Sequence, residues 1–240
     1  MNIRRFIPAS IKTFIRQLQR NWADKLHGET VLFAKPDRQS IQFVHFIQLT
    51  QEIKHTAFFE NKQKNIQLSC EKINEITIFP GQIWSFWQII GKPTLSNGFK
   101  MGRNIVGGKL SEAIGGGLCQ TSSIVYHLSL MGGLKIIERF NHTIDIYTDE
   151  TRFTPLGADA TVVYGHKDLR IQNVYDFPIK FLLKIKDNLL VAQLWSMKPI
   201  EEKTILFVFE NSENLVKIVT TDFSGSQLAV SIYEKLKKEA

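Results

Sequence analysis

The sequence predicts an α+β fold: a mixed sheet, a cysteine-bearing helix entered from a glycine-rich loop, C-terminal β-hairpins and a basic amphipathic helix at the N-terminal end. Three observations carry that expectation. Apolar residues near the start recur in steps of three and four, the signature of one helix face. Residues 102–117 hold six of the fifteen glycines and lead directly into a second stretch of helical spacing. From residue 168 onward, short apolar runs alternate with turn residues, as in antiparallel hairpins.

The 240 residues are 43% apolar and 22% charged, which suits a globular protein and excludes wholesale disorder or a collagen-like fibre. A chain of this length buries roughly 70% of its unfolded surface and needs no disulfide staples. Its two cysteines, Cys70 and Cys119, exclude a disulfide scaffold and a Cys-only zinc site. The longest unbroken apolar run, residues 205–209, is far short of the roughly 20 residues of a transmembrane helix. No linker or repeat divides the chain. The expected organisation is a helix over residues 1–30 and a single domain over 31–240.

The charge is uneven. Of the net +7, residues 1–26 supply Arg4, Arg5, Lys12, Arg16, Arg20 and Lys25 against Asp24, which is +6 and −1. Ile7, Ile11, Phe14, Ile15, Leu18, Trp22 and Leu26 mark the apolar face, and Pro8 suits a first helical turn. Two readings stand for this helix. Its apolar face packs on the body and its basic face is solvated. Alternatively it lies on an anionic membrane surface, with Trp22 and the phenylalanines inward. Pro8 and the repeated cations leave no apolar run of about 7–15 residues, so a signal peptide is not expected. The expected location is therefore cytoplasmic, and peripheral at the inner face of the membrane under the second reading. Nucleic acid is not an expected partner, because no aromatic platform or zinc-finger spacing accompanies the charge.

The elements follow in order. Residues 31–34 and 41–49 read as strands around a polar turn, and 50–65 as loop or exposed helix. Residues 66–78 read as a short helix running into a strand, closed by the Pro80–Gly81 turn. Trp84, Phe86 and Trp87 then place three rings within four residues, which form either core or the wall of a cleft. The run GRNIVGGKLSEAIGGG, from Gly102, reads as a loop that turns sharply or approaches something closely. Residues 118–131 read as a helix, stopped by Gly132–Gly133. Strands are expected at 135–140, 143–147 and 160–164, with a turn at 155–157. Hairpins are expected at 181–185 with 189–195, around Asp187–Asn188, and at 204–209 with 215–220. Residues 227–238 form a last strand or helix.

The chemistry concentrates at Gly115, Gly116, Gly117, Leu118, Cys119 and Gln120. A cysteine between a glycine loop and a helix sits where unpaired N–H groups and the helix dipole lower a thiol's pKa. The glycines let a substrate backbone come close. Against this stands a small buried residue that simply packs, the reading preferred for Cys70. A nucleophilic cysteine needs a base, and the base an orienter. His127, eight residues on along the same helix, is about 12 Å away. His142 follows the helix–turn–strand unit that begins at Cys119, and Asp159 comes one turn later. Cys, His and Asp in this order match transglutaminase-like thiol enzymes. His166 and Asp168 are a rival pair. Ser122 and Ser123 read as local backbone partners. No P-loop, dinucleotide fingerprint or HExxH is present, so neither a cofactor nor a metal is expected. The expected substrate-binding residues are Gly115, Gly116, Gly117, Gln120, Trp84 and Phe86.

The runs GGGLCQTSS from Gly115 and GADATVVYGHKDLRIQN from Gly157 resemble the VanW family. FPGQIWSF from Phe79 and NGFKMGRNIVGGKL from Asn97 are similar to its upstream pattern, although Trp87 stands where many members have Asn. The resemblance covers about residues 60–195 and implies an association with the cell envelope and glycopeptide resistance. Three functions follow. The first is a thiol hydrolase or transferase, with Cys119 as nucleophile, His142 as base and Asp159 as orienter, acting on a peptidoglycan peptide or precursor. The second is a peptide- or glycan-binding module without chemistry. The third is an assembly role through the N-terminal helix.

Overall fold

The computed structural model describes residues 8–37, 39–55, 57–106, 109–145 and 152–235. The expected start of the first helix (residues 1–7), the end of the 143–147 strand, Gly107, Gly108 and residues 236–238 lie outside the described residues. The architecture is α+β. Helix α1 (Ala9–Leu26) is followed by β1 (His45–Glu52), α2 (Phe59–Ile73), β2 (Thr77–Ile78), β3 (Ile83–Ser85) and α3 (Phe86–Ile90). Then come β4 (Met101–Val106), β5 (Lys109–Ile114), α4 (Leu118–Met131), β6 (Lys135–Glu138) and β7 (Ile144–Asp145). The chain continues with β8 (Arg170–Gln172), β9 (Ile179–Lys186), β10 (Leu189–Ser196), β11 (Ile205–Asn211), β12 (Leu215–Asp222) and β13 (Gln227–Lys235).

A central antiparallel sheet runs β1-β10-β9-β2. Its β9–β10 hairpin turns at Asp187 and Asn188, whose φ values of 49° and 62° are those of a tight primed turn. Helices α2 and α4 pack on this sheet, and Ile66, Ile73, Ile124 and Leu128 meet Phe181, Leu190 and Leu194 in one core. Cys70, on α2, belongs to that core, and burial pushes its thiol up to about 12. It is a packing residue. A second sheet, β11-β12-β13-β7, joins the two hairpin strands to β13 and then, in parallel, to β7. That parallel step ties the last strand of the chain to the segment just after His142. The third sheet is β3-β8-β6.

Three local expectations are corrected. Residues 102–117 are not one loop: β4 and β5 form an antiparallel hairpin, with Gly102 opposite Ala113. Gly102 and Gly116 lie back to back, and a Cβ on Gly116 would sit 2.7 Å from Gly102. The glycines therefore serve a close approach of two backbones and do not break the ladder. Residues 31–34 form the end of a 3-10 turn and an isolated bridge from Phe33 to Ile83 instead of a strand. Residues 160–164 are likewise no strand. Val163 bridges only to Lys167, because the chain turns back at Gly165.

Helix α1 is inverted relative to the packing expectation. Thr13, Gln17, Arg20 and Asp24, spaced four, three and four apart, form the stripe turned toward the body. Asp24 is buried and receives a bidentate pair from Arg170 at 2.7 and 2.8 Å. Arg20 makes a second bidentate pair with Glu138 at 2.7 and 2.9 Å. The apolar stripe faces out: Phe14 is 63% exposed and Trp22 68%. Among the described residues no helix is long and apolar enough to cross a membrane.

Candidate active site

Helix α4 begins at the end of the glycine run. Gly115 and Gly117 hold φ values of 91° and 102°, which side chains resist, and Gly117 is the N-cap of the helix. Asn65, fully buried on α2, pins this loop. Its amide donates to the carbonyls of Gly116 (2.9 Å) and Lys100 (3.0 Å) and accepts from the Lys100 N–H at 2.7 Å. Cys119 is thereby fixed in the first helical turn. The Gln120 N–H is taken by the Gly117 carbonyl (2.9 Å), whereas the Cys119 N–H has no acceptor among the described residues. Gly116→Ala is expected to destabilise the protein by about 1–3 kcal/mol, through overpacking against the Gly102 backbone, and to slow Cys119 alkylation. Urea denaturation and thiol kinetics on one preparation check both.

The far wall is the segment 157–162, stapled to α4 by serines. Ser122 Oγ donates to the Ala160 carbonyl at 2.6 Å, and Ser123 Oγ accepts from the Ala160 N–H at 3.0 Å while donating to the Cys119 carbonyl at 2.6 Å. The serines thus join two segments as well as satisfying the helix. Asp159 lies on this wall. Its carboxylate accepts the His142 backbone N–H at 2.7 Å and meets His142 Nδ1 at 2.6 Å. That contact leaves Nε2 as the remaining ring nitrogen of His142, which lines the same cavity as Cys119, while the Cys119 thiol donates to the Val162 carbonyl at 3.9 Å. The structure places His142 against Asp159 and on the wall of the same cavity as Cys119.

The electrostatics of the three are coupled. Burial alone would push the Cys119 thiol up, but the hydrogen bond and charge of His142 bring it below the ordinary value. Burial likewise opposes the imidazolium, yet Asp159 and Cys119 together raise His142. Asp159 is lowered to about 2: burial is outweighed by His142 and Arg139. Both shifts run in the direction that favours a thiolate–imidazolium pair, with the carboxylate as its orienter.

Two partners of Asp159 were absent from the sequence reading. Arg139 donates from Nη2 to Asp159 Oδ1 (3.0 Å) and from Nε to its carbonyl (2.7 Å), with its guanidinium 4.7 Å from the Tyr126 ring centroid. Tyr233, on β13, donates its hydroxyl to the same Oδ1 and accepts the Gly157 N–H at 2.8 Å. Arg139 lies three residues before His142, a proximity that carried no motif. Tyr233 sits in a region without recognisable pattern and reaches the site only because β13 pairs with β7.

Cys119 and His142 open onto a cavity of about 750 Å³, also lined by Gly115, Gly116, Gly117 and Gln120. Trp84 and Phe86 do not line it. Both are fully buried, and Trp84 packs edge-on against Phe86 and Phe181 at 6.1 and 5.7 Å. Their placement in the cleft is corrected: strand alternation and the start of α3 turn both rings into the core. Trp87 does reach the cavity, with its Nε1 donating to the Lys167 carbonyl at 2.7 Å. The rival pair does not form. Asp168 caps α3 through Ser85 Oγ (2.6 Å) and the Trp87 N–H (3.1 Å), while His166 is exposed at the cavity rim. Among the described residues no group of three or more His, Cys, Asp or Glu is arranged to hold a metal ion.

A family model described as VanW-like protein matches residues 61–195. The chain is 32% identical over 176 residues to the "Uncharacterized protein YoaR" of Bacillus subtilis (strain 168), covering 73% of this chain and 56% of the relative. It is 30% identical over 139 residues to the "Vancomycin B-type resistance protein VanW" of Enterococcus faecalis (strain ATCC 700802 / V583), covering 58% of this chain and 50% of the relative. The chain thus spans about half the length of the curated relatives it matches. No solved structure matches it.

Proposed function

This chain belongs to the VanW-like family, and from that premise we propose that it is a cysteine-dependent acyl-transfer enzyme, a hydrolase or transferase, acting on a peptidoglycan peptide or its precursor. The observation that supports the chemistry is the contact of His142 with Asp159 beside Cys119 at the wall of a large open cavity. The substrate class follows the resistance named for the Enterococcus faecalis relative.

The proposed reaction runs through a thioester. The Cys119 thiolate attacks an amide carbonyl carbon, and the electron pair of the C=O bond moves onto oxygen. The Cys119 N–H, at the helix N-terminus, donates to that oxyanion. As the intermediate collapses, the C–N bond breaks and His142 gives its proton to the leaving amine. Neutral His142 then takes a proton from water or an acceptor amine, which attacks the thioester. Loss of the sulfur regenerates the ion pair. Asp159, itself held by Arg139 and Tyr233, keeps the imidazole oriented throughout.

Purified stem peptides and lipid-linked precursor incubated with the native protein are expected to show cleavage or exchange by mass spectrometry. Cys70→Ser retains it and Cys119→Ser loses at least about 1,000-fold, as for other covalent nucleophiles. Ligand binding with full biological function in Cys119→Ser would select a binding module over an enzyme.

A further inference from the structure

The described lining of the cavity beside Cys119 is basic. Lys54, Lys62, Lys92, Arg103 and Lys167 line it, and no Asp or Glu is among its described lining residues. Lys54 is offset by its pair with Glu52. Lys62 has no such offset: among the described residues no carboxylate pairs with it. The fold sets its stem beside the glycine that precedes the Cys119 helix. A Cβ on Gly117 would lie 2.8 Å from Lys62 Cγ, so the third glycine of the run makes room for the Lys62 stem two residues before Cys119. Its ammonium is 5.8 Å from the Phe153 ring centroid. Burial, with Arg103 nearby, lowers Lys62 to about 8. A half-buried cation with no carboxylate partner among the described residues favours the entry of an anion.

We propose that Lys62, supported by Arg103, binds an anionic oxygen group of the substrate, a carboxylate or phosphate, next to the Cys119 sulfur. The proposal deepens the thiol-enzyme reading and rests on it for the identity of the reacting group. A peptide whose free terminal carboxylate lies near the attacked bond, or a phosphate-bearing precursor, meets this requirement. A neutral, amidated peptide does not.

Charge-selective alkylation tests it without knowledge of the substrate. Iodoacetate and iodoacetamide deliver the same carbon to Cys119, one with a carboxylate and one without. In a Cys70→Ala background the iodoacetate-to-iodoacetamide rate ratio, normalised to a small free thiol, is expected to favour iodoacetate. It falls about tenfold in Lys62→Met and is kept in Lys62→Arg. Protection of Cys119 by inorganic phosphate but not acetate assigns the subsite to phosphate, and the reverse assigns it to carboxylate. An unchanged ratio in Lys62→Met, including equal slowing of both reagents, overturns the proposal. A sluggish Cys119 toward both reagents with the Lys62-dependent ratio intact instead overturns the thiol-enzyme reading alone.

A separate observation concerns α1. Ile11, Phe14, Ile15, Leu18, Trp22 and Leu26 form an exposed apolar stripe along it. The helix cannot roll to bury this stripe, because Arg20 and Asp24 on the opposite face are held in bidentate pairs. Arg16 and Lys25, both exposed, flank the stripe. An apolar stripe with Trp and cationic flanks, on a helix anchored by its other face, complements an anionic lipid surface. We infer that α1 is the membrane-contact face of the protein. Thr13, on the inward stripe, lines the Cys119 cavity, which places the cavity beside that surface. The native protein is expected to sediment with vesicles containing phosphatidylglycerol, and not with pure phosphatidylcholine vesicles. Leu18→Ser/Trp22→Ser lowers partitioning at least about tenfold. No binding to anionic vesicles overturns the inference, as does a stable dimer in solution that the same double variant dissociates.

Discussion

Replacing His142 with alanine in a Cys70→Ala background is expected to slow iodoacetamide alkylation of Cys119 roughly tenfold at about pH 6. An ordinary thiol, with a pKa of about 8.5, is only about 0.3% thiolate at pH 6. Against burial, His142 brings Cys119 below its ordinary value, so more of the native sulfur is anionic than in a free thiol. A lower pKa also weakens the nucleophile, and a Brønsted slope of about 0.4–0.5 takes back part of the gain in thiolate. The sign follows from the two shifts. The native rate holds up as pH falls, until the lowered thiolate is protonated. For turnover, a second limb appears as pH rises through the raised His142 value, where the proton for the leaving group is lost. The pair titrates as a unit, so both limbs belong to the dyad. Equal rates for native and His142→Ala across the range would count against activation.

Arg170→Met is expected to destabilise the protein by about 3–5 kcal/mol, measured as a drop in the urea midpoint. Arg170 is buried and holds four carboxylates: Asp24, Glu29 at 2.9 Å, Asp168 at 3.2 Å and Glu138 at 3.4 Å. Methionine fills similar volume but leaves these acids facing one another without a cation. The same substitution removes the main anchor of α1, so proteolysis within residues 9–26 should accelerate. Arg20→Met is the contrasting control. Its pair with Glu138 is partly exposed, with 23% and 19% side-chain accessibility, and its loss should cost only about 1 kcal/mol. A loss below about 1 kcal/mol in Arg170→Met would show that Arg170 is not the keystone described here.

The features legible in the sequence were those set by local rules. The helix after Gly117, the hairpin at Asp187–Asn188 and the nearness of His142 to Cys119 all follow from short-range turn chemistry and one helix–strand return. The Asp168-Leu169-Arg170 run was legible as a family pattern, but not as a cap for α3 joined to an anchor for α1. Composition could not sort Trp84 and Phe86 from Trp87, because facing core or cavity depends on the strand–helix junction at Ser85. Apolar spacing marks one face of α1 but does not say whether that face packs inward or stays exposed. The buried Arg170–Asp24 pair and the partly exposed Arg20–Glu138 pair outweighed that spacing. Lys62, Arg139 and Tyr233 come from α2, the end of β6 and β13, and only tertiary structure places them around Cys119 and Asp159.

The most direct test of the central claim is the ultraviolet thiolate absorbance of the Cys70→Ala protein against pH, taken as the difference from the Cys70→Ala/Cys119→Ser protein. The account predicts a step from Cys119 below the free-thiol value of about 8.5, moved upward by His142→Ala. A Cys119 that ionises at or above that value, with or without His142, would contradict it.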